Sequence, residues 1–242
     1  MRRRWLHAIP ALGLFVVIAL PPAHAGVLVN VTGVAGEPRE NVLRALTLHR
    51  DRTESLSERR IRQLHAQAPD EIRRALEPFG FYRATVEGDL QHDGDDWRAH
   101  YVVTPGAPLP VTRVDLRVDG EGEDDVEFQR LIETFPITPG DALNQPRYES
   151  AKRAFQKTAA ERGYFGMRFT EHTLRVDLDA YQAEVILHLD TGARYRFGVV
   201  SFEQDREILT PELLARYARI RPGDPYSNSA LLDLQRALLD SD

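Results

Sequence analysis

The chain has 242 residues, a formal net charge of -6, 42% hydrophobic residues and no cysteine. That balance leaves enough apolar residues for packed cores, and with no basic block it argues against nucleic acid or anionic lipid as the main ligand. A disulfide framework, a thiol nucleophile and a lipid-modified cysteine are excluded outright.

Residues 1–25 read as a secretory leader. Arg2, Arg3 and Arg4 precede an apolar run from Ile9 to Leu20, Pro21-Pro22 breaks it, and Ala23-His24-Ala25 supplies small cleavage positions. The run is about 12 residues, short of the roughly 20 of a spanning helix, which weighs against a retained anchor.

The first unit, residues 26–106, opens with a strand in which Val27, Val29 and Val31 alternate before Gly33. Gly36-Glu37-Pro38 leads into a helix with Val42, Leu43 and Leu46 on one side. After the polar interruption Asp51 to Ser57, the residues Ile61, Leu64, Ala68, Ile72 and Leu76 fall at helical steps. Pro69 lies inside this run and predicts a kink or a restart. Gly80 ends the helix, Ala84 to Leu90 is a strand, and the turn at 93–96 returns it as Trp97 to Thr104.

A linker with Pro105, Pro108 and Pro110 starts the second unit, residues 107–192. Its first strand alternates Val114, Leu116 and Val118 and closes on Gly120, and Asp124 or Asp125 caps a helix with Phe128 and Leu131. Pro139-Gly140-Asp141 precedes a helix capped by Asn144, with a stripe of Tyr148, Ala151, Phe155 and Ala159 and with Lys152, Arg153 and Glu161 outward. Gly163-Tyr164-Phe165 ends it, with the aromatics expected to fold back as core. Met167 to Leu178 and Tyr181 to Leu189 form the hairpin.

The third unit, residues 193–242, offers Phe197, Val200 and Phe202 as its first strand, with a bulge near Gly198. Pro211 to Tyr217 and Ser227 to Leu239 are its helices, and the loop Pro222-Gly223-Asp224 precedes the second. Gly80 to Gly163 and Gly140 to Gly223 are both 83 residues apart, and the same shift carries Tyr148, Ala151 and Phe155 onto Leu231, Leu234 and Leu238. A fixed period of this size marks serial copies of one supersecondary unit. By that period the next glycine-aromatic turn falls beyond Asp242, so the third unit is expected to lack its hairpin and to leave apolar helix surface uncovered.

The βααββ order, the strands ending in Gly33 and Gly120, the Pro-Gly-Asp loops and the turns Gly80-Phe81-Tyr82 and Gly163-Tyr164-Phe165 resemble the polypeptide-transport-associated (POTRA) domain. Leu143-Asn144-Gln145 with Tyr148-Glu149 and Lys152, then Arg194-Tyr195-Arg196-Phe197-Gly198 with Phe202-Glu203, and Gly33 to Asn41-Val42 are similar to the TamA family. The resemblance implies an α+β fold of tandem POTRA domains, each a three-stranded sheet with two helices on one face. It also implies a periplasmic arm on an outer-membrane β-barrel, the barrel itself lying outside this chain. In that family the arm serves insertion and assembly of outer-membrane and autotransporter proteins, with an inner-membrane-anchored TamB-like subunit as partner and unfolded outer-membrane proteins as clients. The arm of the general barrel-assembly or two-partner secretion machinery, or a structural spacer, are the alternatives.

Reactive chemistry has no foothold in the pattern. His49, His65, His92, His100, His172 and His188 show no metal-ligand spacing, and no G-x-S-x-G elbow occurs. The Pro-Gly-Asp loop lacks the Lys-Ser/Thr of a phosphate loop, and neither the acidic run Glu121 to Glu127 nor the loop Asp93 to Asp96 has calcium-loop spacing. The expectation is therefore no enzyme, cofactor or metal. Function is expected at an exposed strand edge instead, where free N–H and C=O groups accept another extended chain. The candidate is the strand from Met167, with Arg168, Phe169, Thr170, Glu171, His172 and Thr173 alternating apolar and polar. An edge merely blunted by its charges is the competing reading.

Overall fold

The computed structural model describes residues 26–51, 56–94, 96–204, 210–217 and 219–239, and the expected leader lies outside them. The first unit runs β1 (Val27–Thr32), α1 (Gly36–Ala45), α2 (Thr47–Arg50), α3 (Glu58–Leu76), a 3-10 turn (Glu77–Phe79), β2 (Thr85–Asp93) and β3 (Asp96–Thr104). The second runs β4 (Val111–Asp119), α4 (Val126–Glu133), α5 (Gln145–Arg162), β5 (Arg168–Asp177) and β6 (Gln182–Asp190). Two helices follow, α6 (Pro211–Tyr217) and α7 (Asn228–Leu239).

Both sheets have three strands in one order, β1-β3-β2 and β4-β6-β5. The last strand of each unit lies in the middle, parallel to the first strand and antiparallel to its hairpin partner. β3 alternates buried Trp97, Ala99, Tyr101 and Val103 with exposed neighbours, so one face meets the helices and the other meets solvent. The helix-facing side packs Ile61, Leu64, Ala68, Ile72 and Leu76 of α3 against that strand. In the second unit Tyr148, Ala151, Phe155 and Ala159 of α5 pack with Ala183, Val185, Leu187 and Leu189 of β6. Each large side chain so buried is worth roughly 1.5–3 kcal/mol.

A buried tyrosine hydroxyl ties helix to central strand in each unit. Tyr101 and His65 Nδ1 are 2.8 Å apart in the first, and Tyr148 donates to the Ile186 carbonyl at 3.2 Å in the second. Burial, and then the charge of Glu149, push the Tyr148 hydroxyl up to about 12. His65 is thus a satisfied core-edge histidine.

Three expectations need correction. Pro69 does not restart its helix, because α3 runs unbroken from Glu58 to Leu76. The proline removes one donor, and the tight packing of Ala68 and Ile72 on the sheet holds the turn without it. Lys152 is half-buried rather than outward, held by Glu149 at 2.9 Å and lying 5.7 Å from the Tyr148 ring centre.

The third correction concerns the stretch holding Phe197, Val200 and Phe202, which forms no strand. Its ladder contact among the described residues is a bridge from Arg196 to Pro225. The reason is topological. A unit's first strand pairs only with its last, and no strand follows α7 among the described residues. For the same reason α7 buries none of its described residues, and Leu231 is 38% exposed.

Gly33 marks the point where β1 ends and the chain crosses the end of the central strand. Its φ is +88°, and a Cβ there would stand 1.8 Å from the Val103 carbonyl oxygen. Gly33→Ala is therefore expected to cost roughly 2 kcal/mol or more, measured as a lowered urea midpoint. Gly94→Ala, at φ +64° with nothing within 4 Å of the added Cβ, is expected to cost only about 1 kcal/mol.

Candidate functional site

The candidate strand β5 is an edge. It has β6 on one side and, among the described residues, no strand on the other. Its register slips between Phe169 and Glu171, leaving Thr170 as the extra residue of a bulge. The expected alternation from Arg168 to Thr173 is therefore broken in the middle. Phe169 and His172, three apart, share one face and meet edge to face at 5.6 Å. From Glu171 to Asp177 the pairing with β6 is regular.

The open face of this sheet is a mosaic of opposite charges. Arg168 pairs with Asp190, and Arg175 reaches Glu171 at 2.9 Å and Glu184 at 3.7 Å. His188 on β6 lies between Glu171, 3.9 Å away, and Asp115 on β4. Its Nε2 is 3.0 Å from Asp115 Oδ1 but without the alignment of a full hydrogen bond. Ile186 is buried beneath these side chains at 3% exposure, although it lies on the face away from the helices. The outer rim of β4 is blunted at its start, where Val111 exchanges backbone hydrogen bonds with Gly140 and Asp141, both at 2.8 Å.

A second concentration of structure lies where units meet. The Gly80 carbonyl accepts the Leu109 N–H at 2.8 Å, and the Leu109 carbonyl accepts the Leu143 N–H at 2.8 Å. One unit further on, the Gly163 carbonyl accepts the Tyr195 N–H at 2.9 Å, and the Tyr195 carbonyl accepts the Tyr226 N–H at 2.9 Å. Each Pro-Gly-Asp loop closes on its own aspartate. Asp141 Oδ2 accepts from the Thr138 N–H at 2.7 Å, and Asp224 Oδ2 accepts from the Arg221 N–H at 2.8 Å. The Thr138 N–H and hydroxyl, outweighing partial desolvation, hold the Asp141 carboxyl below the usual carboxylate range.

Charged and aromatic residues reinforce both junctions. At the first, the Arg83 guanidinium stacks 3.7 Å from the Tyr181 ring centre, and the Tyr181 hydroxyl donates to the Ala107 carbonyl at 2.6 Å. Tyr181 takes φ +54°, a strained value for a non-glycine residue. At the second, Asp125 caps α4 and accepts from Arg162 Nε at 2.7 Å and the Tyr164 hydroxyl at 3.0 Å. Arg194 donates to the Arg162 carbonyl and, through its N–H, to Glu121, both at 2.9 Å. Tyr164 is core as expected. Phe165 is not: it is 52% exposed and meets Tyr195 and Tyr226 edge to face at 5.3 and 4.8 Å.

The sequence reading missed these contacts although it found their parts. The signal was present: the helix-ending glycine, the linker and the Pro-Gly-Asp loop recur together, which points to mutual contact. A cavity of about 640 Å³ lies between α6 and α7, lined by Phe197, Tyr217, Ile220, Pro225 and Leu234. Among the described residues no group of three or more His, Asp or Glu is placed to hold a metal ion, and no helix is long and apolar enough to cross a membrane.

Residues 28–105 match the family model described as POTRA domain TamA domain 1. The first unit is similar to a TamA-type POTRA domain. Solved POTRA structures align with 90% of the chain. POTRA3-5 of Haemophilus influenzae BamA is 14% identical over 90% of this chain and 85% of that one, with a TM-score of 0.44. The N-terminal domain of Omp85 from Thermosynechococcus elongatus is 19% identical over 90% and 85%, with a TM-score of 0.33. POTRA1-3 of the periplasmic domain of Omp85 from Anabaena is 16% identical over 90% and 84%, with a TM-score of 0.32. The architecture is α+β, with two three-stranded sheets of the same strand order in tandem.

Burial opposes ionisation of Asp125, but hydrogen bonds from Arg162, the Glu127 N–H and Tyr164 outweigh it and hold the carboxyl below its ordinary value. A carboxyl depressed in the folded state stabilises fully above its unfolded value of 3.8, and that stability is lost as pH falls further, through the folded value. Asp125→Asn is expected to cost about 2 kcal/mol at neutral pH, since Arg162 is left without its counter-charge at a partly buried site. Urea unfolding at pH 7 and near pH 3 checks this, the difference between variant and parent shrinking at the lower pH.

Proposed function

We propose that this chain is the periplasmic arm of a TamA-like outer-membrane assembly factor, and that it holds extended segments of partner or client proteins by strand addition. The match of residues 28–105 to the TamA-type POTRA domain carries this reading. A TamB-like inner-membrane-anchored subunit and unfolded outer-membrane proteins are the partners it implies.

The edge of β5 supports the placement. Seven regular residues from Glu171 to Asp177 give about 23 Å of strand, enough for a short segment to pair along its outer side. The bulge at Thr170 twists the first residues away from that line, so Arg168 to Thr170 bound the site rather than extend it. Main-chain pairing reads backbone more than side chains, which suits many clients. On the helix side, Leu174 with the more exposed Val176 and Leu178 offers apolar contact to alternate residues of an incoming strand. On the other side, Glu171 and Arg175 already neutralise each other and favour neither charge sign.

Photo-reactive residues at His172 and Val176, in cells making the full protein, are expected to cross-link to outer-membrane precursors or to the inner-membrane partner. Arg74, exposed on α3, is the comparison position. Equal labelling from Arg74, or none from β5 while outer-membrane assembly proceeds normally, would leave the arm as a spacer and refute strand addition at this edge.

A further inference from the structure

We propose that the two junctions are one repeated clasp, and that this clasp fixes the angle between successive units independently of the later unit's sheet. Four observations converge on it.

First, the same backbone bonds recur, at 2.8–2.9 Å in both junctions. A helix-ending glycine carbonyl receives the linker, the linker carbonyl receives the residue two beyond the Asp of the Pro-Gly-Asp loop, and the loop pairs back with the linker. In the second junction Phe197 exchanges bonds with Gly223 and Asp224 at 2.8 and 2.9 Å, as Val111 does with Gly140 and Asp141 in the first. Second, the glycines leave no room for play. A Cβ on Gly80 would stand 3.0 Å from the Leu143 carbonyl oxygen, and one on Gly163 would stand 2.6 Å from Tyr226 Cβ, with φ at +84° and +85°. Third, the bonds of the second clasp are made by Gly163, Tyr195, Phe197, Gly223, Asp224 and Tyr226, none of which lies in a strand of a sheet. Fourth, the Gly-Asp pair of the loop goes with a described preceding unit. One period upstream of Gly140-Asp141 stand Ser57-Glu58, not Gly-Asp.

The first clasp carries a further strut away from the glycine. Tyr181, on the turn between β5 and β6, holds Arg83 of the earlier unit and the Ala107 carbonyl of the linker. Two contacts at separated points resist rotation about either one. The linker prolines stiffen the connection, but the angle is set by hydrogen bonds that tie the linker to both units.

The test uses the absence of native cysteine. Nitroxide labels on Arg59→Cys and Arg117→Cys, both exposed and on successive units, report the inter-unit distance in the intact protein. A single narrow distance distribution is expected. Gly80→Val is expected to widen it at least twofold, and Tyr181→Ala, which leaves the glycine contact intact, to widen it by a smaller factor. Gly94→Val, strained but remote from the junction, should leave it narrow. A broad distribution in the parent protein overturns the proposal. So does a distribution that stays narrow in Tyr181→Ala and in folded Gly80→Val, or one that Gly94→Val widens as much.

Discussion

Each sheet is closed by the strand that arrives last in its unit. β3 and β6 occupy the centre, so β1 and β2, or β4 and β5, have no ladder with each other and depend on that one strand for every inter-strand bond. The helices depend on it too, because the apolar stripes of α3 and α5 find their buried partners on its inward face. The contrast with residues 193–239 shows the strength of this constraint. Those residues include an apolar stretch with strand-like composition and two helices, yet among the described residues they hold no sheet, and Leu231, Leu232 and Leu239 of α7 remain exposed.

Most of the fold was legible in the sequence because its signals are local. Helical spacing in Ile61 to Leu76 and Tyr148 to Ala159, glycines at Gly80 and Gly163, the cap at Asn144 and the two hairpins all act within a few residues of themselves. Readings failed where the deciding partner is distant. Phe197 to Phe202 has the composition of a strand, but a strand requires a neighbour. Pro69 is a helix breaker by itself and is overruled by packing on both sides. Lys152 is the exception: it looks outward by phase, and its near neighbours Glu149 and Tyr148, one helical turn away, draw it in.

The candidate site was legible in the same uneven way. An edge position for β5 follows from the βααββ order once the last strand is placed centrally. The bulge at Thr170 does not, since alternation from Arg168 to Thr173 reads as unbroken until the pairing with β6 is known. The junctions were harder still. Arg194 and Tyr181 look like ordinary surface residues, and only three-dimensional proximity joins them to Asp125, Arg162, Arg83 and the linker. With no cysteine available, the backbone bonds of each junction and these side-chain ties are what hold successive units together.

The period itself has a consequence for how such an arm changes length over evolution. Each junction draws groups from both of its neighbours, so a break placed in the proline linker strips one side of its hydrogen-bonding partners. Excision of the 83 residues from Gly80 to Gly163 instead brings equivalent halves together and rebuilds the same junction from different copies. Recombination between such points therefore removes or adds a whole module without a new interface having to be invented.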